Sequence, residues 1–167
     1  MLYYVDLEKI IIERCQIPYI DELDIISGYI GPSPIENLQK ELSLNHRENF
    51  KTRIVYGMYG SDGISSRLHR LLLPLNKDQT QIFYSKTPVH TKLYIWRAQS
   101  RIVQTLIGSA NFSISGVRTP FKETLADMNY DTESVVDRYY NLVMENSILC
   151  TDEKIAAEIA NTKPNSR

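Results

Sequence analysis

The chain has 167 residues, of which 43% are hydrophobic and 23% are charged, and its formal net charge is −1. This length suits one domain with a sizeable core, and the longest apolar runs are too short for a membrane-spanning helix. A net charge this small says little about partners, so the local distribution of charge has to be considered instead.

The sequence gives no sign of a cofactor, a metal site or secretion. Cys15 and Cys150 lie far apart in apolar surroundings, where a reduced cysteine packs as a small hydrophobic residue, so a disulfide is the less favoured alternative. His46 and His69 have no Cys or His nearby in the sequence, so no metal-ligand spacing exists. Neither terminus has the pattern of a signal peptide. We therefore expect a cytoplasmic protein that makes no membrane contact.

The first half of the chain alternates predicted helices with predicted strands, which are distinguished by the spacing of their apolar residues. The predicted helices cover residues 6–16, 33–44 and 64–73, and the predicted strands cover residues 25–30, 53–56 and 80–85. Ser33 is followed by Pro34 and, three residues after the serine, by Glu36. This pattern predicts that the second helix begins with Ser33 as its cap.

A glycine-bearing loop, residues 57–63, precedes the third predicted helix. Such a loop can present backbone N–H groups to a phosphate. It lacks the Gly-Lys-Ser/Thr ending of a P-loop, however, and Asp62 would repel an anion, so a simple turn is the favoured interpretation. On the helix that follows, we expect Arg67, His69 and Arg70 to form a solvated polar face.

Two apolar runs near the middle of the chain, 89–96 and 102–107, predict neighbouring strands. The short polar connection between them favours an antiparallel hairpin. If residues 98–101 form the loop, Arg97 lies opposite Ile102.

The same register would place His90 opposite Ser109. Side chains on a strand alternate between its two faces, and directly opposed residues point the same way. His90 and Lys92 would then share a patch with Ser109 and Asn111, so that four polar side chains converge.

The remainder of the chain is predicted to pack around this hairpin. We expect a loop at 113–119, a short strand at 123–128, helices at 132–146 and 154–159, and a polar tail or linker at 161–167. The apolar residues of the longer helix form one stripe that should pack on the core: Val135, Val136, Tyr139, Leu142 and Val143.

The segments His90-Thr91-Lys92 and Gly108-Ser109-Ala110-Asn111-Phe112-Ser113 resemble the H-x-K and G-S-x-N signature of the phospholipase D superfamily. Within it, the chain most resembles the catalytic domain of metal-independent type II restriction endonucleases. The resemblance implies an α/β fold, with a mixed β-sheet flanked by helices on both faces, in a single domain over residues 1–160. An α+β layered domain is the alternative. Arg97 stands where many members of the superfamily carry an acidic residue, a departure that counts most against the lipid-processing branch.

The resemblance implies a catalytic site made of His90, Lys92, Ser109, Asn111 and Glu123. Positive and polar donors are needed because a phosphodiester repels a nucleophile, and Lys92 and Asn111 would supply them. Histidine, with an ordinary pKa of about 6.5, can attack phosphorus as the neutral imidazole or protonate a leaving oxygen. Glu123 would accept the second ring N–H of His90 and fix its aim; a solvated glutamate is the alternative.

Between residues 79 and 122 the sequence has no Asp or Glu. The same stretch contains six cations: Lys86, Lys92, Arg97, Arg101, Arg118 and Lys122. This distribution predicts a basic catalytic face that guides a polyanion.

These features favour a metal-independent endonuclease that hydrolyses double-stranded DNA through a phosphohistidine, as the cleavage domain of a restriction enzyme. One alternative is a phospholipase or phosphatidyl transferase, which would need a membrane-facing apolar surface. The other is a degenerate domain that binds nucleic acid or dimerises. Sequence recognition is expected in a second domain after Arg167 or in a partner subunit. Because the chain has one copy of the motif, a homodimer should complete the site with two histidines.

Overall fold

The protein is described by a computed structural model over residues 1–128 and 133–161. Eight strands in this part of the chain form one mixed sheet: β1 (Leu2–Tyr3), β2 (Glu22–Ser27), β3 (Lys51–Tyr56), β4 (Thr80–Ser85), β5 (Leu93–Ala98), β6 (Arg101–Gly108), β7 (Leu125–Asp127) and β8 (Ser147–Leu149). The helices are α1 (Leu7–Cys15), α2 (Pro32–Leu44), α3 (Tyr59–Asp62), α4 (Ser66–Leu72), α5 (Ile114–Val117), α6 (Glu133–Glu145) and α7 (Glu153–Asn161).

The strand order across the sheet is β1-β7-β6-β5-β2-β3-β4-β8. The three strands β2, β3 and β4 run parallel, and the other pairings are antiparallel. One face of the sheet packs against α1, α2 and α7, and α6 covers the other face. The predicted α/β class, with a mixed sheet between helices, is confirmed.

Strand β2 lies at the centre of the sheet and is covered on both faces. Ile25 packs into the larger hydrophobic cluster and Ile26 into the smaller one beneath α6. Between two layers, a strand is expected to be a continuous apolar run. Asp24 interrupts that run at zero exposure, and its carboxylate accepts hydrogen bonds from Arg53 Nε at 2.6 Å and Arg97 Nε at 2.7 Å. The buried charge is thus paired.

Several elements differ from the sequence prediction because distant contacts decide them. The cap of α2 is Gly31 with Pro32 in the first turn, so the predicted Ser33 cap is wrong. The predicted loops at 57–63 and 113–119 contain the one-turn helices α3 and α5. The edge strands β1 and β8, each two or three residues long, were not predicted.

Two side-chain predictions for the helices also need correction. His69 is buried rather than solvated, and its Nδ1 lies 2.9 Å from the hydroxyl of Tyr84. On α6 the buried stripe contains Val136 and Tyr140, whereas Val135 and Leu142 are 58% and 54% exposed. The predicted stripe was therefore rotated on the helix surface.

Some of the predicted segment boundaries in the last third of the chain fall outside the described residues. Asn161, predicted to start the tail, is the last residue of α7. Residues 162–167 and Thr132, the predicted first residue of the long helix, lie outside the described residues. Cys15 and Cys150 are buried free thiols, as predicted.

The central hairpin forms with Arg97 opposite Ile102, as predicted. The register then shifts, because Trp96 opposes Gln104 and Val103 is an extra residue in β6. Such a bulge displaces every later pair by one position. The predicted pairing of His90 with Ser109 is therefore wrong, and His90 lies outside regular secondary structure, in the segment that precedes β5.

Candidate active site

The predicted site residues lie at one end of the sheet, where β2, β3, β4 and β6 finish and where β5 and β7 begin. An open cleft of about 630 Å³ at this end is lined by all five of them: His90, Lys92, Ser109, Asn111 and Glu123. Ligands of α/β sheets commonly bind outside the carboxyl ends of parallel strands. The structure thus brings the five side chains together, although the pairing that the sequence predicted is displaced.

His90 and Lys92 both line the cleft and contact each other. The imidazole is exposed, whereas Lys92 is only 7% exposed. The ammonium donates to the backbone oxygen of His90 at 2.6 Å and lies 2.9 Å from Nδ1 and 3.3 Å from Nε2 of the same residue. A neutral imidazole has one acceptor nitrogen, so only one ring contact is a hydrogen bond, and the shorter one has the better distance.

Burial lowers the pKa of Lys92, and the nearby negative charge of Glu123 opposes this decrease. Desolvation disfavours the charged amine, while an opposite charge favours it. Glu123 therefore helps to keep the amine protonated. Among the described residues, the ring of His90 hydrogen bonds to Lys92, and no such bond joins it to Glu123.

Asn111 is oriented by residues at the end of β2 and just after it. The N–H of Tyr29 donates to Asn111 Oδ1 at 3.1 Å, and Ser27 Oγ lies 3.2 Å from the same oxygen. Ser27 Oγ also accepts from the N–H of Phe112 at 3.0 Å. Because the side-chain oxygen is occupied by a backbone donor, the Nδ2 group of Asn111 is left to donate to a ligand.

Ser109 fixes the segment that carries Glu123. Its hydroxyl accepts from the N–H of Thr124 at 3.0 Å, and its own N–H donates to the oxygen of Thr124 at 2.9 Å. This pair of bonds ties the end of β6 to the start of β7. Ser109 is thus placed to hold Glu123 at the cleft.

Glycines allow the backbone segments of the site to approach one another. A Cβ on Gly57 would lie 2.1 Å from the oxygen of Val89, the residue before His90. A Cβ on Gly116 would lie 2.0 Å from the oxygen of Asn111. Gly28 is less crowded, since a Cβ there would lie 3.3 Å from His90 Cδ2. The first two positions therefore require glycine because of close backbone contact.

Ser27, Gly28 and Tyr29 also belong to the site, although they were not predicted from the sequence. They come from a strand more than 60 residues before His90, and two of their contacts use backbone atoms. A Ser-Gly-Tyr segment at the end of a buried strand was the available signal, since such strand ends carry sites in α/β folds.

Fewer than the six predicted cations are available to form a basic face. Arg97 is buried and pairs with Asp24 and Asp137, while Arg118 pairs with Glu8 at 3.0 Å. Two of the six cations are therefore used in internal ion pairs. Lys86 and Lys122 are exposed, and Lys92 lies in the cleft itself.

Over residues 1–128 and 133–161, no group of three or more His, Cys, Asp or Glu side chains is arranged to hold a metal ion. In the same part of the chain, every helix is too short or too polar to cross a bilayer. The cleft itself offers one imidazole, one ammonium, one free amide N–H group and one carboxylate. This set suits attack on a phosphate ester, since it combines a nitrogen nucleophile with donors for the phosphate oxygens.

Two solved structures of bacterial proteins are similar to the whole fold. NucT from Helicobacter pylori matches with a TM-score of 0.63 and 15% identity, covering 89% of this chain and 97% of that one. Nuc from Salmonella typhimurium, described as a phospholipase D family member, matches with a TM-score of 0.62 and 11% identity, covering 89% and 95%. At these identities the likeness shows the fold.

A phosphatidylserine synthase from Haemophilus influenzae matches with a TM-score of 0.59 and 12% identity, covering 89% of this chain but 38% of that one. A comparison with curated protein sequences gave no match.

A family model provides the assignment that structural likeness cannot. The model of the NgoFVII restriction endonuclease N-terminal PLD domain matches residues 5–157, which include every residue of the cleft. The resemblance of the His90 and Asn111 motifs to the phospholipase D superfamily is thereby confirmed. The chain belongs to the family of the NgoFVII restriction endonuclease N-terminal PLD domain.

Proposed function

We propose that this chain is the cleavage domain of an endodeoxyribonuclease that hydrolyses DNA phosphodiesters without a metal ion, through a phosphohistidine. The observation that carries the proposal is the convergence of His90, Lys92 and Asn111 in one open cleft. The family supports restriction of DNA as the biological context.

In the first step, a ring nitrogen of His90 attacks phosphorus and a P–N bond forms. The bond to the leaving sugar oxygen breaks, and that oxygen takes a proton from a second imidazole. In the second step, water gives its proton to the second imidazole and attacks phosphorus, which breaks the P–N bond and frees His90. Splitting the displacement in this way replaces one difficult step by two easier ones.

Lys92 has two roles in this scheme. In the free protein its ammonium contacts the ring of His90 and occupies an imidazole lone pair. A bound phosphate would compete for the ammonium, because charge-assisted hydrogen bonds to phosphate oxygens are stronger than those to a neutral ring. Binding of the substrate would then free the ring nitrogen of His90 from the ammonium. The same movement would place the charge of Lys92 on the phosphate. The Nδ2 group of Asn111 would donate to a second phosphate oxygen.

We propose that Glu123 keeps Lys92 charged, and that it can also accept the second ring N–H of His90 once Lys92 has turned to the phosphate. A carboxylate in that place would fix the tautomer and the aim of the attacking ring. Ser109 would act through the backbone, by holding the strand connection that carries Glu123.

The scheme needs two histidines, and one chain supplies one at the cleft. The other two in the sequence are His46, whose side chain is 91% exposed beside Glu48, and His69, which is buried against Tyr84. Neither lines the cleft. A homodimer with two-fold symmetry would bring His90 of each subunit to a shared site, because an isologous interface places the same residues face to face.

Double-stranded DNA is the proposed substrate, with Lys86 and Lys122 as exposed cations for its backbone. Phosphate contacts position a protein without reading sequence. Recognition of a particular site would therefore lie in a second domain or a partner subunit.

Mixed dimers test the shared site. We expect wild-type protein to sediment as a dimer at working concentration, and heterodimers of wild-type and His90→Ala subunits to be inactive or to stop as a phosphohistidine. Labelled DNA that stays covalently attached to the wild-type subunit in base and is lost in acid would identify the trapped phosphohistidine. A fully active monomer, or heterodimers with half of the wild-type rate, would contradict the paired-histidine scheme.

A further inference from the structure

The side chain of Tyr29 makes contacts at the site to which the proposed chemistry gives no role. Its ring packs edge to face against His90, with ring centroids 6.2 Å apart and an interplanar angle of 83°. Its hydroxyl donates a hydrogen bond to the carboxylate of Asp62. Its backbone N–H orients Asn111. One residue thus touches both the attacking ring and the amide donor.

We propose that Tyr29 and Asp62 form a positioning pair, in which the carboxylate of Asp62 holds the phenol so that the tyrosine ring fixes the direction of the His90 imidazole. This inference rests on the proposed function of His90 as the nucleophile. It also gives a role to the segment after β3 that contains Asp62, which the sequence predicted to be a simple turn.

The attacking ring needs such support because His90 is exposed and lies outside regular structure. Its ring hydrogen bonds to Lys92, and the phosphate would remove that bond. After that exchange, the tyrosine ring would restrict rotation of the imidazole by ring packing, alongside the hydrogen bond proposed for Glu123. Edge-to-face pairs favour a defined relative orientation of two rings.

Asp62 is well placed to anchor the phenol. The backbone N–H of Asp62 donates to the oxygen of Met58 at 2.9 Å within α3, and Ser61 Oγ donates to Asp62 Oδ1 at 3.0 Å. The N–H of Met58 donates in turn to the oxygen of Gly28 at 3.0 Å. The segments before Tyr29 and before Asp62 are therefore joined through the backbone.

A second tyrosine ring also packs against Tyr29. Tyr56 lies with its ring centroid 6.2 Å from that of Tyr29, and its hydroxyl donates to the oxygen of Gly63 at 2.8 Å. Tyr29 therefore contacts both the buried Tyr56 and the exposed His90.

The hydroxyl of Tyr29 is not free to serve the substrate. The hydrogen bond to Asp62 raises the pKa of the phenol, so that it stays protonated and directed at the carboxylate. A substrate donor at this position would have to break that bond. The geometry thus favours positioning of His90 over direct contact with DNA.

Four variants separate the ring from its anchor. Tyr29→Phe keeps the ring and removes the bond to Asp62, whereas Tyr29→Leu removes the ring. Asp62→Asn keeps an acceptor oxygen for the phenol, whereas Asp62→Leu removes it. None of them alters the backbone N–H that orients Asn111. Tyr4→Phe is the matched control, since Tyr4 is 49% exposed and packs on Phe121 rather than His90.

Each variant is tested by single-turnover cleavage of plasmid DNA, giving the saturating rate and KM separately. We expect Tyr29→Phe and Asp62→Leu to lower the saturating rate about three- to tenfold, the range for one hydrogen bond. Misplacement of a reacting group by about 1 Å costs about 10²-fold, the loss expected for Tyr29→Leu. KM should change less than about twofold in every variant, and Asp62→Asn and Tyr4→Phe should keep the wild-type rate.

A structural readout makes the test independent of nuclease activity. In protein with labelled histidine, the ring signals of His90 should shift or broaden in Tyr29→Phe, Tyr29→Leu and Asp62→Leu and stay unchanged in Asp62→Asn. Unchanged signals in Tyr29→Leu would overturn this inference, and so would a change confined to KM, which would mean direct contact with DNA. If wild-type protein cleaves no DNA, the proposed function fails, while the ring signals still decide whether the pair positions His90.

Discussion

Gly116 is the position where one methyl group should disturb catalysis most directly. It lies in α5, the one-turn helix that follows the Asn111 motif, and its N–H donates to the hydroxyl of Ser113 at 3.2 Å. A Cβ at this position would meet the backbone of Asn111. The substitution Gly116→Ala therefore alters the placement of an amide donor without changing any polar side chain.

The magnitude follows from the distances. The added Cβ would lie 2.0 Å from the oxygen of Asn111 and 2.8 Å from its nitrogen, whereas real Cβ contacts almost never fall below 3.0 Å. Asn111 must then move by about 1 Å relative to α5, the difference between 2.0 Å and 3.0 Å. A misplacement of this size lowers a catalysed rate by about 10²-fold.

Two nearby glycines provide a graded series. A Cβ on Gly28 would approach His90 Cδ2 at 3.3 Å and Asn111 Oδ1 at 3.4 Å, so Gly28→Ala should give an intermediate loss. A Cβ on Gly31 would meet its nearest atom, Ser113 Cα, at an ordinary 3.5 Å, so Gly31→Ala is the matched control and should keep the wild-type rate.

The assay is single-turnover cleavage of plasmid DNA, measured below the thermal transition of each variant as followed by circular dichroism. Measurement below the thermal transition distinguishes an effect of the displaced Asn111 amide from a loss of folded protein. The reasoning would be refuted if folded Gly116→Ala protein cleaved at the wild-type rate, or if Gly31→Ala lost as much activity as Gly116→Ala.

Three further expectations concern ionisable groups. Glu123→Gln removes the charge that opposes the lowered pKa of Lys92, so the alkaline limb of the pH–rate profile should move to lower pH; an unmoved limb would contradict this coupling. Asp24→Asn removes the fully buried carboxylate that pairs with both Arg53 and Arg97, leaving Glu22 and Asp137 as their remaining partners, and should cost up to about 3–5 kcal/mol in denaturant unfolding; a loss below about 1 kcal/mol would contradict it. Burial lowers the pKa of His69, so its contribution to stability is present above the ordinary histidine pKa of about 6.5 and is lost as pH falls below that value; His69→Gln should flatten this part of the stability profile.

The hairpin and its motifs could be predicted because two local signals agree. Runs of apolar and β-branched residues indicated the strands, and the short polar loop predicted Arg97 opposite Ile102, as the structure has it. The bulge at Val103 could not be predicted, since an extra residue in a strand carries no sequence mark when both neighbours are β-formers. The site still assembled, because His90 precedes the strand and its position depends on backbone contacts of Val89 with Gly57.

The ion-pair network explains one departure from the superfamily pattern. Arg97 stands in the region where the resemblance to the superfamily implies an acidic residue, and it lies 2.7 Å from the buried Asp24. An acidic side chain at position 97 would place like charges together in the core. The strand predicted at residues 25–30 begins after Asp24, because a charged residue interrupts an apolar run. The opposite charges of Asp24 and Arg97 were nevertheless a signal that these two residues could pair.

The contributions of Tyr29 and Ser27 depend on tertiary structure alone. They reach Asn111 across more than 80 residues of sequence, one through its backbone N–H and the other through its hydroxyl. The burial of His69 has the same origin. A polar residue on a short helix is expected to be exposed to solvent, and His69 is buried because the hydroxyl of Tyr84 provides a hydrogen-bond partner.

Cleavage of supercoiled plasmid DNA in excess EDTA tests the central claim most directly. We expect wild-type protein to cleave at the same rate with and without EDTA, and His90→Ala to be inactive under both conditions, because His90 and Lys92 supply the nucleophile and the charge that a metal ion would otherwise provide. A rate that disappears with EDTA, or a His90→Ala protein that cleaves like the wild type, would contradict the account.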